Sequence, residues 1–456
     1  MLTPETWSRR YSDALSIDVI RRRAERRGKP AEGLDGMPLE QAIIALHRLL
    51  EDVVLITGQS LEIILSEVGR ALAHAKLLYT DPYAPLRAGY ECDESAPIYV
   101  PTVLTGPAGG GKSVLRMIIG RLLSGSTFVR IDDQHRSVPM IDYIQATVGN
   151  HRSVGGVLRQ LAGPEIRAGH AKIPESHLPD ECRRWLHLSG VCLFSIDEAQ
   201  KLTQSSKAST LATRLLLASQ DIRVPWMVIA NYSLFSKLVT RPAEAVQRLL
   251  GRPRLLLPDT ADSVDWKNLL LEYAKVLKNV CRFSLIKKGN HLWAYCAGIK
   301  RLLRILLVEA YTNSRLRGAK RMVWADVEAA YASKSYRFFR RQVEALIAHA
   351  SQGEPLGDDL LCPFPDALTG DAGAAYAEGL RGERQARVSK AQVEAAMMAK
   401  ERAGIALLKK DYSTTVGSNG SKAGRKKRSA KHSLQSLQEA GRRTVDKLGV
   451  RSRNKA

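Results

Sequence analysis

Eight consecutive residues, Gly106-Pro107-Ala108-Gly109-Gly110-Gly111-Lys112-Ser113, restrict what this chain can fold into more than any other stretch. They fit G-x-x-x-x-G-K-[ST] at every fixed position. The apolar run Thr102–Thr105 precedes them and an amphipathic run to Leu123 follows. The order is therefore strand, glycine loop, helix. Glycines at 109–111 let the backbone enter φ > 0 and bring its N–H groups around a phosphate. The helix N-terminus adds its partial positive charge at the same point. Lys112 then reaches the β/γ-phosphates, and the Ser113 hydroxyl becomes a ligand for Mg²⁺. ATP and Mg²⁺ are the cofactors this stretch predicts.

A second motif complements the first. The apolar segment Val191–Ile196 runs directly into Asp197-Glu198-Ala199-Gln200. Opposite a phosphate-binding lysine, two adjacent carboxylates divide the labour. Asp197 holds the Mg²⁺ shell through water, and Glu198 accepts a proton from the attacking water, which favours hydrolysis over transfer to an acceptor. Asn231 ends the apolar segment Trp226–Ala230 and is placed to orient that water. Arg248, Arg252 and Arg254 cluster before the last strand, where an arginine can face a neighbouring subunit's γ-phosphate; Arg252 is preferred. Gly298-Ile299-Lys300-Arg301 opens a helix, from which Arg301 can reach the γ-phosphate and couple hydrolysis to lid movement.

The 456-residue chain predicts two or three domains. Short apolar segments at Val100–Thr105, Thr127–Asp132, Val191–Ile196, Trp226–Ala230 and Leu255–Leu257 alternate with helical ones. That pattern predicts a parallel sheet with helices on both faces and a ligand at the strands' carboxyl ends. The expected division is a helical leader over 1–97, an α/β core over 98–258 and a helical lid over 259–335. A helical extension over 336–410 and a basic tail over 411–456 follow. In the leader, Pro38–Leu50 and Ser60–Leu78 carry apolar residues at helical spacing. Its purpose is packing against the core, or docking of a protein or DNA.

The net charge of +23 points to a polyanionic partner, nucleic acid before an acidic membrane surface. Residues 422–455 alone hold twelve lysines and arginines against Glu439 and Asp446. The six cysteines form no C-x-x-C pair, which argues against a zinc site or a disulfide framework. With no long apolar run and no signal-peptide core, a bacterial cytoplasmic protein without membrane partners is expected.

Together GPAGGGKS, FSIDEAQ, the strand ending in Asn231, the arginine run and GIKR resemble an AAA+ ATPase. The leader segment GQSLEIILSEVGRALAHAKLLYTDPY, the DEAQ form of the second motif and the post-lid stretch SYRFFRRQVEALIAHASQGEPLGDDLLCP resemble the TnsC/TniB group of DNA-transposition regulators. The resemblance spans roughly residues 50–365. It implies an ATPase that assembles as rings or filaments on double-stranded DNA, with about six or seven subunits per turn. It implies a transposase and a TniQ/TnsD-type target selector as partners, with disassembly on hydrolysis. It makes Asn231 the first sensor and Arg301 the second, and it implies an arginine finger from the neighbouring subunit. DNA-tracking loops are expected near His135 and Arg136, and at Arg152. The competing classes are a P-loop kinase, against which Glu198 beside Asp197 argues, and a helicase-loader-like or signalling ATPase that gates protein contacts.

Overall fold

The computed structural model describes residues 12–78, 83, 87, 89–91, 97–123, 126–130, 133–134, 136–149, 153–169, 173–204, 208–368, 371–398 and 401. Residues up to 392 form one compact unit, and all that follows lies within it.

Seven strands appear among these residues: β1 (Thr102–Thr105), β2 (Ser126–Val129), β3 (Val138–Ile141), β4 (Tyr143–Thr147), β5 (Leu193–Asp197), β6 (Trp226–Ile229) and β7 (Arg252–Leu255). Five make one sheet in the order β4-β5-β6-β1-β7. Every neighbouring pair in it is parallel. β1, β5 and β6 are buried at every position. Covered on both faces, they need apolar residues throughout and show no alternation. The parallel sheet sandwiched by helices, with a helical leader and a helical lid, is the architecture the motifs imply.

Two strand expectations need correction. Residues 127–129 do not enter the main sheet, and the expected end of that strand at 131–132 lies outside the described residues. β2 instead pairs antiparallel with β3 in a separate two-stranded ribbon. Its place in the main sheet is taken by β4, which pairs with β5 from Tyr143↔Leu193 to Thr147↔Asp197. β4 is an edge strand with alternating exposure, so Tyr-Ile-Gln-Ala-Thr lacks the continuous apolar run of a central strand. The last strand begins at Arg252, three residues before the expected Leu255. Arg252 and Arg254 are only half-buried there because β7 is the other edge.

The leader is built into both halves of the unit. Ile20, Val54, Ile64 and Val68 share a core with Leu115, Ile119 and Ile229 on one face of the sheet. Ala42, Leu46 and Leu50, from the Leu39–Glu51 helix, share the lid core with Leu303, Leu306 and Trp266. The lid itself comprises the Val264–Val276, Gly289–Cys296, Lys300–Leu316 and Trp324–Ala332 helices. The following Arg337–Gln352 helix buries Val343, Leu346 and Ile347 in the same core. The leader's two amphipathic helices therefore pack against the sheet and the lid.

Leu46 is fully buried, whereas Ile44 on the same helix is 52% exposed. Leu46→Ala is expected to cost about 2–5 kcal/mol and Ile44→Ala under about 0.5 kcal/mol. Denaturant unfolding of both variants measures the difference; equal small effects would remove this helix from the lid core.

Candidate active site

The carboxyl ends of β1, β5 and β6 point the same way, and the motifs sit on those ends. β1 ends at Thr105 and gives way to Gly106. At Gly106 φ is +156°, and a Cβ would lie 2.3 Å from the Leu256 carbonyl oxygen. At Gly109 φ is +85°, and a Cβ would lie 2.6 Å from the Cβ of Arg301. Glycine is required at both by conformation and by space. Gly111, also at positive φ, precedes the Lys112–Leu122 helix and gives it no side-chain cap. The first N–H groups of that helix are therefore available to an anion.

A cleft of about 600 Å³ opens over this loop, lined by Gly109 to Ser113, Asp197, Glu198, Asn231 and Arg301. Ala108 to Ser113, Asp197, Glu198, Asn231 and Arg301 thus meet in one place, while Gly106 and Pro107 are not part of the cleft lining. Asn231 lies between the glycine loop and the acidic pair because β6 lies between β1 and β5. It stands at the N-terminus of the Tyr232–Leu238 helix, and its side chain makes no capping bond there. Arg301 comes from the lid, and its backbone N–H donates to the Gly109 carbonyl at 3.3 Å. The lid arginine therefore rests directly on the phosphate loop.

Lys112 is buried, and its Nζ donates to the carbonyls of Gly106 at 2.8 Å and Pro107 at 3.0 Å. Burial pushes its pKa down to about 8, and Arg301 pushes the same way; Asp197 and Glu198 oppose the shift. Asp197 Oδ1 accepts from the Glu198 N–H at 2.8 Å. Glu198 has φ +60°, a left-handed conformation that a non-glycine residue rarely adopts. Such strain persists where the surroundings enforce it, and it turns the Glu198 side chain relative to Asp197. Gln200 Nε2 donates to Glu198 Oε2 at 2.9 Å and holds the carboxylate in place.

For a magnesium ion the chemistry fits. The Ser113 hydroxyl and the Asp197 carboxylate are hard oxygen donors beside a phosphate loop, and Mg²⁺ is typically held by one or two such groups plus substrate phosphates.

The remaining assignments fall elsewhere. Arg252 pairs with Thr102 at the start of β1, at the opposite end of the strand from the glycine loop that follows Thr105. Burial and Arg70 lower its pKa, while Glu67 raises it. Arg254 leans on the leader helix, 3.6 Å from Glu62 and 3.4 Å from Ser66. Arg248 is exposed and meets Gln220 at 3.4 Å. Arg136 is exposed between β2 and β3, and its Nε donates to the Asp133 carbonyl at 2.8 Å. His135 and Arg152 lie outside the described residues, as does the basic tail.

Three contributions escaped the sequence reading. Leader residues Val53 to Thr57 line the cleft. So does Arg304, one turn after Arg301, which pairs with Glu51 at 3.1 Å. Arg116 meets Asp197 at 2.9 Å. The last was accessible, since Arg116 stands four residues after Lys112 and shares its helix face.

The fold is a glycine-loop α/β core, a five-stranded parallel sheet flanked by helices, with a helical lid. Comparison with protein-family models and with curated proteins finds no match. Among solved structures the chain is similar to the Aeropyrum pernix ORC2 protein in its ADPNP–ADP complexes. That match has TM-score 0.40 and 13% identity, covering 73% of this chain and 94% of that one. It is similar to the Aeropyrum pernix ORC1 protein in complex with DNA, with TM-score 0.33 and 17% identity over 62% of this chain and 68% of that one. The Thermotoga maritima RuvB Holliday junction branch migration motor gives TM-score 0.30 and 14% identity over 62% and 72%. Likenesses at these scores and identities decide neither family nor activity. Among the described residues no helix is long and apolar enough to cross a membrane.

Lys112 yields a pH prediction. A bound polyphosphate favours its charged form, so affinity is full below about pH 8 and falls as pH rises through that value. Lys112→Arg stays protonated and is expected to flatten the profile. Titrating a fluorescent ATP analogue from about pH 7 to about 9.5 reads both profiles. A level wild-type curve contradicts the assignment.

Proposed function

We propose that this protein is an ATP-dependent regulator of DNA transposition. In this reading it binds ATP with Mg²⁺ and assembles with its own copies on double-stranded DNA. It links a TniQ/TnsD-type target selector to a transposase, and it leaves the DNA on hydrolysis. The observation that carries the ATPase part is the meeting of the Lys112 loop, the Asp197–Glu198 pair, Asn231 and Arg301 in one cleft. Lys112 grips the β/γ-phosphates. Ser113 and, through water, Asp197 would hold Mg²⁺, which would supply positive charge beside the phosphoryl oxygens. Glu198 takes the proton from the attacking water, and Asn231 orients that water. Arg301 reports the γ-phosphate to the lid through its seat on Gly109.

The DNA part rests on charge and on the resemblance of the leader, DEAQ and post-lid segments to the TnsC/TniB group. A chain at +23 favours phosphate contacts, which are tolerant of sequence and steeply weakened by salt. Arg136, His135 and Arg152 are the DNA candidates, with Asp133 partly offsetting Arg136. A neighbouring subunit supplies an arginine to the γ-phosphate. Of the three candidates, Arg252 stays preferred; Arg254 is held by Glu62 and Ser66 of the leader helix and Arg248 by Gln220.

Glu198→Gln keeps the cleft's shape but removes the base. Phosphate release is expected to drop about 10²–10⁴-fold, with nucleotide binding retained. Complexes on a DNA duplex should then outlast those of the wild type. Phosphate assays and duplex retention with ATP test this together. Unchanged turnover removes Glu198 as the base, and duplex binding independent of nucleotide removes the assembly model.

A further inference from the structure

The contact between Arg116 and Asp197 has no part in the chemistry above. Arg116 lies on the Lys112–Leu122 helix with its side chain largely buried. Its Nε stands 2.9 Å from Asp197 Oδ2. The Nε–H is not aligned for a hydrogen bond, so the contact is ionic and undirected. Behind it, the half-buried Tyr143 hydroxyl bonds to Ser195 Oγ and meets the Arg116 side chain. These residues come from β4, β5 and the phosphate-loop helix. Asp197 Oδ1 already accepts the Glu198 N–H. Both oxygens of the carboxylate assigned to the metal shell are therefore engaged, one of them by a full positive charge.

We propose that Arg116 is a positioning residue that competes with Mg²⁺ for Asp197 and thereby raises the magnesium concentration the site requires. This rests on the nucleotide-site reading above. Two cations cannot share one carboxylate oxygen without mutual repulsion, and within a partly buried site that repulsion is weakly screened. Because the Arg116 contact is not a directed hydrogen bond, Arg116 can leave Asp197 without breaking one. Tyr143 and Ser195 offer the displaced guanidinium a polar resting place nearby. Loading of the metal and movement of Arg116 are then one event, and the phosphate-loop helix is informed of it.

The test is the magnesium dependence of binding a fluorescent, slowly hydrolysed ATP analogue to the full chain, in wild type, Arg116→Gln and Arg116→Lys. Arg116→Gln is expected to lower the half-saturating Mg²⁺ concentration at least about threefold, with binding in EDTA changed far less. Arg116→Lys, which keeps the charge, should stay near wild type, and thermal unfolding of each variant shows whether it is folded. If Arg116→Gln leaves the magnesium requirement unchanged or raises it, the competition is overturned while the nucleotide site stands. If Arg116→Gln is unfolded, Arg116→Lys decides: a threefold or larger fall in its magnesium requirement overturns the competition, and a wild-type value supports it. A wild type that binds no nucleotide at any magnesium concentration overturns both.

Discussion

A side chain at Gly106 or Gly109 has nowhere to go. At the first position it would strike the Leu256 carbonyl, which follows β7; at the second it would strike Arg301, which belongs to the lid. The glycine loop is thus the point where the sheet edge, the phosphate-binding helix and the lid come within van der Waals contact. The Arg301 N–H bond to the Gly109 carbonyl fixes the third of these to the first two. Any ligand that moves the loop must move the lid, because no slack separates them.

The sheet supplies the rest of the site by order alone. With β6 between β1 and β5, three strand ends present a loop, a carboxamide and two carboxylates side by side. Parallel strands make this possible, since all their carboxyl ends face one crevice. The leader then closes the crevice. Its Arg26 and Val54 pair across an antiparallel bridge, and the Ile56 N–H donates to Glu25 at 3.3 Å. These bonds hold Val53 to Thr57 against the cleft while the neighbouring helices are buried in two different cores.

What could be read from the sequence was what local chemistry determines. The glycine loop, the acidic pair and Asn231 each announce themselves through residue type at a strand end, and they converge. The lid helices follow from apolar spacing. What escaped was set by distant partners. β4 is an edge strand, so its middle Gln145 faces outward and breaks the apolar run that would mark it. The β2–β3 ribbon has an apolar first arm, and only its antiparallel pairing with Val138–Ile141 separates it from a sheet strand. The leader's place in the cleft depends on Glu25, more than thirty residues before Ile56. Arg252 reads as one of a surface cluster until its strand pairs with Thr102 and the Glu67–Arg70 pair comes beside it.

Charge around the cleft is unevenly settled, and the imbalance is informative. Arg116 faces Asp197, Arg304 faces Glu51 at 3.1 Å, and Lys300 faces Asp259 at 3.5 Å. Lys112 has only carbonyl partners, and among the described residues Arg301 makes no ion pair with a carboxylate. These two cations stand close enough that Arg301 depresses the Lys112 pKa, beyond what burial does. Holding two like charges together beside a buried loop costs folding free energy. Their repulsion turns into attraction only when a multiply charged anion lies between them, and a triphosphate has the charge and the length to touch both. In the proposed reading the same anion would bring the Mg²⁺ ion for which Arg116 competes at Asp197. Under the proposed function, recognition of the nucleotide and the seating of Arg301 on the glycine loop are two descriptions of one electrostatic balance.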